Sequence, residues 1–454
     1  MNTIIESALL SAINNYPQTP LIIAYSGGVD SQVLLHALAE LKHAKKISNR
    51  ITVCHINHGL SANANTWQAF AEKECLKLKL TFVACEVNVK QKAQHSLEAL
   101  ARDARYQALY SLYDEQSLII TGHHRDDQTE TFLLALKRGS GLKGLSAMAS
   151  KINQGKDIIL RPLLNVSRAE IVHLANQQQL KWVEDESNSD TRFDRNFIRQ
   201  TIMPLLSERW PSITQTINRS SRHCLEGQLL LNELAEQDLA ESQLNDQSLS
   251  VSELSKLSVA RFNNLVRFFL TQHHYLMPST EQLAQVYQQL FASTDKNPVI
   301  KVGDNYLRRY KDALYLTADF NNVSDWQTNV YFDKKQDKAS GNVIELPDAL
   351  GKLTFVNTQT AESSNSCQQI RLPAQGQKVT VHFCHNNSRC LPDYRHHSRS
   401  LKKVLQELNI PPWERNRIPF IYFDDVLVAV VGYFVCQEFI PNKNTPCFQV
   451  TWER

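Results

Sequence analysis

One short string of glycine, serine and aspartate has the residue types of a phosphate-binding turn: Ser26-Gly-Gly-Val-Asp-Ser31. Glycines let the main chain turn tightly and approach a ligand closely, and the helix predicted to follow offers free N–H groups and a positive dipole end. A carboxylate at Asp30 repels phosphates unless a cation lies between them, and Mg²⁺ resolves that conflict. The string therefore predicts a nucleotide-phosphate site with Asp30 as magnesium ligand, formed by Ser26, Gly27, Gly28, Val29, Asp30 and Ser31.

A simpler interpretation of this string and one further glycine pattern are both weaker. A plain helix-capping turn would explain Gly27-Gly28 alone, but it does not account for the whole string between a strand and a helix. The sequence contains no GxxxxGK[ST] motif, and its GxGxxG match, Gly139 to Gly144, follows a predicted helix, not the strand that a dinucleotide-binding turn requires. We interpret that second segment as a glycine-rich loop near the site.

The elements around the string alternate over the first 200 residues. Apolar runs at 21–25, 51–56, 80–87 and 117–122 predict strands, and segments 30–41, 66–78, 96–113 and 126–136 have helical spacing. Strands separated by helices indicate βαβ units and a doubly wound parallel sheet. Because ligands of such sheets bind at the carboxyl ends of the strands, the motifs at those ends are expected to converge.

The rest of the chain has a different pattern. Long helical segments at 212–240, 251–272 and 280–291 predict a mainly helical middle domain. Short strands around one basic helix, 398–408, predict a small α+β domain at the end of the chain. The sequence thus predicts three domains, 1–205, 206–330 and 345–454, the first α/β.

Composition sets the broad class. The net charge is only +3, so a nucleic-acid surface must come from local clusters of Lys and Arg. No apolar run reaches the roughly 18 residues of a membrane span, and the first residues do not resemble a signal peptide, so a cytoplasmic protein is expected. The nine cysteines include no CxxC pair, which disfavours a zinc site, even at Cys384, His385 and Cys390.

The phosphate string resembles the PP-loop of the N-type ATP pyrophosphatases, which cleave ATP between the α and β phosphates. Further motifs, in this order along the chain, are similar to those of the tRNA(Ile)-lysidine synthetase family. They are HINHGL (55–60), ARDARY (101–106), TGHHRDDQTET (121–131), RGSG (138–141), RPLL (161–164), EDESNSD (184–190) with Arg195-Asn196, LKK (401–403), PPWERNRIP (411–419) and VAVVG (428–432).

This resemblance implies a ligase that forms a carbon–nitrogen bond. ATP would adenylate the C2 oxygen of the cytidine at the first anticodon position of an isoleucine tRNA with a CAU anticodon. The ε-amino group of free L-lysine would then attack C2 and release AMP, pyrophosphate having left in the first step. ATP and Mg²⁺ are the implied cofactors, and a homodimer is an arrangement that the sequence leaves open.

The same resemblance suggests roles for charged residues near the loop. Lysine must be bound as a cation and must lose a proton before it attacks. Carboxylates on one helix face can do both, and the candidates are Asp126, Asp127 and Glu130. The predicted catalytic residues are Asp30, Asp127 and Glu130. The candidates for binding the adenylate, lysine or cytidine are Arg102, Arg105, His58, Asp126 and Arg195. An acidic first helical turn, exposed arginines and structural histidines are the alternatives.

Two basic clusters provide the expected tRNA surface, since Lys and Arg contact phosphates. The predicted tRNA-binding residues are Arg308, Arg309, Arg399, Lys402, Lys403, Arg415 and Arg417. Three other functions are alternatives. A PP-loop tRNA thiolase would need cysteines to deliver sulfur, a small-metabolite synthetase would not bind tRNA, and an inactive RNA-binding protein would not need an intact loop.

Overall fold

The computed structural model describes residues 3–57, 59, 61, 63–87, 97–245, 247–291, 298–331, 342–358, 368–385, 387–442 and 445–454. The chain divides into two compact units, Met1–Leu234 and Ala235–Arg454. Among the described residues, no helix is both long and apolar enough to cross a bilayer.

The first unit alternates strands and helices, as the sequence predicts. Its elements are α1 Thr3–Ile13, β1 Leu21–Tyr25, α2 Val29–His43, β2 Ile51–Asn57, α3 Ala64–Lys77, β3 Thr81–Glu86, α4 Leu97–Tyr110, β4 Leu118–Ile120, α5 Arg125–Lys137, α6 Leu142–Leu145, β5 Lys151–Gln154, β6 Asp157–Leu160, α7 Arg168–Gln177, α8 Asp194–Phe197 and α9 Met203–Arg209. The π-helical turn Ile198–Ile202 joins α8 to α9. Helix α10, Ile213–Ser242, begins in this unit and ends in the next.

The sheet of the first unit has the strand order β3-β2-β1-β4-β6-β5. Strands β3, β2, β1, β4 and β6 pair in parallel, and β5 adds an antiparallel edge. Five parallel strands bring five carboxyl ends to one edge, with the end of β1, and hence the phosphate string, between those of β2 and β4. The predicted doubly wound parallel sheet is confirmed.

Side chains that alternate along the strands fill two separate cores. Leu21, Ile23 and Tyr25 pack in a cluster with α1, α2 and α7, whereas Ile22 packs with Cys54 and Leu109 on the opposite face. Since successive side chains of a strand point to opposite faces, helices cover both faces of the sheet. The two cores hold its edge of strand ends rigidly enough to position a site.

The second unit begins with the end of α10 and three further helices, α11 Val251–Leu254, α12 Val259–Gln272 and α13 Thr280–Leu290. They pack with a five-stranded sheet of β7 Gln243–Asn245, β8 Ser248–Ser250, β9 Val299–Val302, β10 Asn305–Tyr310 and β11 Ala313–Ala318. The predicted helix 251–272 is two helices, because the Ser258 hydroxyl accepts the N–H of Arg261 and starts a new one. The helical character of the middle region is confirmed.

The C-terminal part of the second unit contains two antiparallel sheets around one core. Its strands are β12 Gln327–Val330, β13 Asn342–Glu345, β14 Lys352–Thr358, β15 Gln368–Arg371, β16 Val379–His382, β17 Arg389–Cys390, β18 Arg399–Ser400, β19 Phe420–Phe423, β20 Val426–Val430, β21 Phe434–Val435 and β22 Cys447–Glu453. The basic helix is α14, Leu401–Glu407, and α15 is Pro412–Arg415. These elements confirm the predicted α+β class.

Candidate active site

The phosphate string forms an open turn between β1 and α2. Gly28 caps α2 without a side-chain hydrogen bond, so the first N–H groups of the helix keep their capacity to bind an anion. The Ser31 hydroxyl donates to Gly28 O at 2.9 Å and accepts Gly27 N–H at 3.1 Å, and it lies 3.2 Å from the Ser26 hydroxyl. Ser26 is exposed and Gly28 half-buried, which leaves access for phosphate.

Two glycines allow the neighbouring chain to approach this turn. Gly27 has a φ of 87°, and a Cβ there would lie 2.7 Å from Val183 Cγ2. Gly122 follows β4, and a Cβ on it would lie 3.2 Å from the carbonyl carbon and oxygen of Asp30. The shape of the turn therefore depends on glycine at both positions.

Asp30 has a carboxylate oxygen available for a cation. Its Oδ1 is buried and accepts no hydrogen bond in the described part of the chain, and His124 Nε2 lies 3.5 Å away. Burial lowers the pKa of His124, but the carboxylates of Asp30, Asp127 and Asp126 outweigh that effect and raise it. Within the described residues, no group of three or more His, Cys, Asp or Glu could hold a metal. The single carboxylate fits a magnesium ion that phosphate oxygens also coordinate.

Helix α5 begins with a capping box that fixes its first carboxylates. The His124 Nδ1 accepts the N–H of Asp127 at 3.4 Å, and Asp127 Oδ2 accepts the N–H of His124 at 3.0 Å. This reciprocal pair satisfies two N–H groups at the start of the helix. It places Asp127 and Glu130 on the side of α5 that faces residues 195 and 199.

Two arginines bind these two carboxylates. Arg195 donates from Nε to Glu130 Oε2 at 2.8 Å and from Nη2 to Asp127 Oδ1 at 3.2 Å. Arg199 donates to both oxygens of Glu130, at 2.6 and 2.9 Å, and to Asp127 Oδ1 at 3.3 Å. Asp127 and Glu130 are only 9% and 2% exposed. The cluster is therefore buried, compensated in charge and rigid.

The electrostatics of this cluster follow from its pairing. Burial raises the pKa of Asp127, but the charges of His124 and Arg195 outweigh burial and lower it overall. Burial likewise opposes the charged form of Arg199, yet Glu130 and Asp127 raise its pKa. The sequence prediction did not include Arg199. Its spacing of four from Arg195, which puts both on one helical face, was the available signal.

Asp126 points away from the arginine pair. Its Oδ2 accepts the N–H of Arg168 at 2.9 Å, at the start of α7, and lies 3.7 Å from His124 Nδ1. Its side chain is 38% exposed. Of the three predicted carboxylates, Asp126 is thus the most accessible to solvent.

The predicted cations of α4 lie within electrostatic reach of the same edge. Arg102 is exposed, with its guanidinium 5.6 Å from the centre of the Tyr106 ring, and its charge helps to lower the pKa of His123. Arg105 acts in the same direction on the pKa of His55. In both histidines burial is the largest cause of the lowered pKa. His58 lies outside the described residues.

Arg161, immediately after β6, is a further candidate, and it is the first residue of the RPLL motif. It is 2% exposed, and Nη1 donates to Ala149 O at 2.7 Å. Its Nε makes no hydrogen bond with the described residues, and no carboxylate there forms an ion pair with it. A buried, uncompensated guanidinium is costly, so this position favours an anionic ligand.

The predicted tRNA-binding arginines of the second unit mostly have partners within the chain. Arg308 lies among the rings of Tyr306, Phe320 and Trp413, 5.0, 5.5 and 5.6 Å from their centres. Arg309 donates to Leu290 O at 2.7 Å. Arg415 donates to Ile410 O at 2.9 Å and to Tyr310 Oη at 3.3 Å. Arg417 donates to Asp348 Oδ2 at 2.6 Å.

The basic helix α14 is different. Arg399, just before it, pairs with Glu407 at 2.5 Å. Lys402 and Lys403 are exposed, and neither ammonium group has a partner in the described part of the chain. They are the freest of the predicted phosphate-binding residues.

Three family models match the chain. They are described as a PP-loop domain for residues 1–206, a TilS substrate binding domain for residues 249–315 and a TilS substrate C-terminal domain for residues 379–452.

Curated relatives match over nearly the whole length. A tRNA(Ile)-lysidine synthase of Yersinia pseudotuberculosis is 38% identical over 444 residues, covering 96% of this chain and 94% of that protein. One of Vibrio vulnificus is 40% identical over 426 residues, covering 93% of each. Among solved structures, a U34-tRNA thiolase of Methanococcus maripaludis has a TM-score of 0.41 at 17% identity, covering 49% of this chain and 78% of that one.

Proposed function

The chain belongs to the tRNA(Ile)-lysidine synthase family, and from that premise we propose that it attaches lysine to the wobble cytidine of an isoleucine tRNA. It is an enzyme of the PP-loop class that uses ATP. The observation that carries the proposal is the match of 38% identity over 96% of the chain, in a protein whose phosphate turn is intact and open.

In the proposed reaction, the C2 oxygen of the cytidine in a CAU anticodon attacks the α phosphorus of ATP, and pyrophosphate leaves. The ε-amino group of free L-lysine then attacks C2, the C–O bond to AMP breaks, and the amine loses its proton. The products are lysidine, AMP and pyrophosphate. A carbon–nitrogen bond is formed, so the enzyme would be classed as a ligase.

The turn from Ser26 to Ser31 would hold the β and γ phosphates through main-chain N–H groups and its two hydroxyls. Asp30 would hold Mg²⁺ through its buried Oδ1, which accepts no regular hydrogen bond from the described residues and has His124 Nε2 3.5 Å away. The ion, when bound, would neutralise charge on the departing pyrophosphate. His124 beside Asp30 would support the same carboxylate.

Asp126, Asp127 and Glu130 would bind the substrate lysine and accept its proton. A carboxylate has about four acceptor positions, and Asp127 uses three of its own for Arg195, Arg199 and the His124 N–H. His124 Nε2 also lies 3.4 Å from Asp127 Oδ2, so Asp127 would accept the ammonium group only in exchange for one of these contacts. Asp126 is accessible and lies outside the arginine cluster.

The adenylate and the cytidine would contact the cations at the same edge, Arg102, Arg105, Arg161 and Arg195, with His58 as a further candidate. We propose residues 1–205 as the catalytic domain, and 206–330 and 345–454 as tRNA-binding domains. Cytoplasmic location and a homodimer complete the proposal; sedimentation of the purified protein measures the second.

A PP-loop tRNA thiolase is the alternative function, and it is less supported. The relatives that cover 93 to 96% of the chain are lysidine synthases, and the sequence has no CxxC pair.

Mass analysis of nucleosides tests the proposal. A CAU-anticodon isoleucine tRNA is incubated with the protein, ATP, Mg²⁺ and lysine, then digested. We expect one cytidine to gain lysine with loss of water, and AMP and pyrophosphate to appear in equal amounts. Omission of lysine is the control. Unmodified cytidine in the complete reaction contradicts the proposal, and a sulfur-containing nucleoside formed with a sulfur donor would support the thiolase.

A further inference from the structure

A cavity in the first unit lies outside the site described above. Its volume is about 470 Å³, within the range of ligand pockets. The start of α5, the segment 146–150, the turn after β6 and the first turns of α10 form its walls. None of the residues 26–31 lines it.

The lining is cationic. It includes Arg125, Arg219 and Arg222 and, among the described residues, no carboxylate. Arg125 is partly engaged, since its guanidinium donates to Asn165 O and lies 3.7 Å from Glu170. In the described part of the chain, the ion pair of Arg222 is an exposed contact with Glu226 at 3.8 Å. The exposed Arg219 has no side-chain partner among the described residues, so the cavity has cationic capacity left for an anion.

The walls are fixed by hydrogen bonds that are already made. Gln128 bonds both the N–H and the carbonyl of Met148 at 2.7 Å, and Asn218 donates to Thr129 Oγ1 at 2.9 Å. Ser221 donates to Ser146 O at 2.9 Å. The amide of Gln215 has no partner in the described part of the chain, and it can bond a hydroxyl group. Because these wall contacts are already made, binding would order only the free side chains of the cavity.

The cavity and the carboxylate cluster share one helix. Arg125 and Gln128 face the cavity, whereas Asp127 and Glu130 face Arg195 and Arg199. A helix with its side chains is about 10 Å across, so the two places are about that far apart. A nucleotide that leaves its stack to react needs its neighbouring backbone held nearby.

We propose that this cavity binds the sugar–phosphate backbone of the tRNA next to the target cytidine, with Arg219 and Arg222 on phosphate and Gln215 on a ribose hydroxyl. This inference rests on the proposed function. RNA suits the chemistry because guanidinium groups pair with phosphate and amides read the 2′-hydroxyl.

The test is the double reversal Arg219→Glu and Arg222→Glu, measured by filter binding of CAU tRNA over a range of salt concentrations. We expect affinity to fall at least tenfold, and the slope of log affinity against log salt to flatten by roughly 1 to 2. In turnover assays, the KM for tRNA should rise in step with the loss of affinity. Lys73→Glu with Lys79→Glu, two exposed lysines of the same unit, is the matched control for net charge.

Both proteins are first compared by thermal melting, and the variant Arg219→Lys with Arg222→Lys should recover most of the affinity. If wild-type protein makes lysidine and the reversed variant binds tRNA as tightly as the control, the cavity has no such role while the proposed function stands. If wild-type protein makes no lysidine, the proposed function fails, and the cavity is judged by tRNA affinity alone.

Discussion

Arg199 binds Glu130 through two nearly parallel hydrogen bonds, from Nε to Oε1 at 2.6 Å and from Nη2 to Oε2 at 2.9 Å. Glu130 is 2% exposed, so this fork-shaped pair compensates a carboxylate that water does not reach. The pair lies at the carboxyl edge of the sheet, on the helix that also carries Asp127. It therefore links the stability of the fold to the geometry of the candidate site.

Replacing Arg199 with Met should destabilise the protein and reduce lysidine formation. Loss of one partner of a buried pair costs about 3 kcal/mol or more, and Arg195 offsets part of that cost because it also binds Glu130. Urea denaturation and product analysis measure the two effects. Arg192→Met is the control, since its pair with Asp190 is exposed and screened by solvent, so its loss should change stability much less. Equal effects of both substitutions would contradict the assignment.

Asp30→Asn tests the magnesium role. The substitution keeps the size of the side chain and removes its charge, so pyrophosphate release and lysidine formation should fall about 10²-fold or more. Filter binding should show tRNA affinity within about twofold of the wild type, because Asp30 is not part of the basic surface. Asp114→Asn, at an exposed turn of the same unit, is the control. Wild-type turnover in the Asp30 variant would show that Asp30 does not bind the magnesium ion.

Gly122→Ala should disturb the phosphate turn without any strain at position 122. Gly122 does not have a positive φ, but its new Cβ would lie 3.2 to 3.3 Å from main-chain atoms of Asp30 and Ser31, which cannot yield without moving the turn. The KM for ATP should therefore rise several-fold. Gly141→Ala is the matched control, because nothing lies within 4 Å of its Cβ position and its φ is also not positive. An unchanged KM for ATP in Gly122→Ala would contradict the close contact.

The sequence predicted the parallel sheet and the phosphate turn because both depend on local signals. Apolar runs and helical spacing identify strands and helices, and Ser26 to Ser31 is contiguous. The pairing of Glu130 with Arg199 was not predictable in the same way, since the two residues are 69 positions apart and meet only when α5 packs on the turn at 198–202.

For the basic clusters, the sequence identifies the residues but not their contacts in the fold. Composition identifies Arg308 and Arg417 as cations, but composition does not tell which cations have partners inside the fold. Arg308 lies among three aromatic rings and Arg417 pairs with Asp348, whereas Lys402 projects into solvent. Strand β22, which completes the last sheet, escaped prediction because its pairing with β14 joins residues about a hundred positions apart.

His55 should make stability depend on pH. It is 3% exposed, and its Nδ1 lies 3.1 Å from the Tyr25 carbonyl, so the neutral ring donates this bond. Burial lowers its pKa, with Arg105 adding to the effect and the Tyr25 bond opposing it. Between the folded pKa and the unfolded value of about 6.5, only the unfolded chain binds the proton, so the free energy of unfolding falls as pH decreases through that window.

His55→Asn retains an N–H donor and cannot titrate. Urea denaturation at pH 7.5 and 5.5 should show that this variant loses less stability on acidification than the wild type. Other histidines titrate in the same range, so the quantity compared is the difference between the two proteins. His173→Asn, at an exposed position, should leave the pH dependence unchanged. A His55 variant that follows the wild type would show that its folded pKa is not lowered.

Lys402 and Arg417 represent two kinds of basic residue in the second unit, one exposed and one buried in an ion pair. Lys402 and its neighbour Lys403 are exposed without side-chain partners among the described residues, so Lys402→Ala with Lys403→Ala should weaken tRNA binding and lower the salt slope by roughly 1 to 2 while melting is unaffected. Arg417 is 7% exposed, lies 4.2 Å from the centre of the Phe320 ring and pairs with Asp348, so Arg417→Met should lower the melting temperature by removing both contacts, although Asp348 keeps its hydrogen bond from Asn321. Both variants are measured by filter binding and by thermal melting, and each is compared with the wild type. An unchanged salt slope in the Lys402 and Lys403 variant would show that α14 does not bind tRNA. An Arg417 variant that melts at the wild-type temperature would show that its pair with Asp348 does not stabilise the fold.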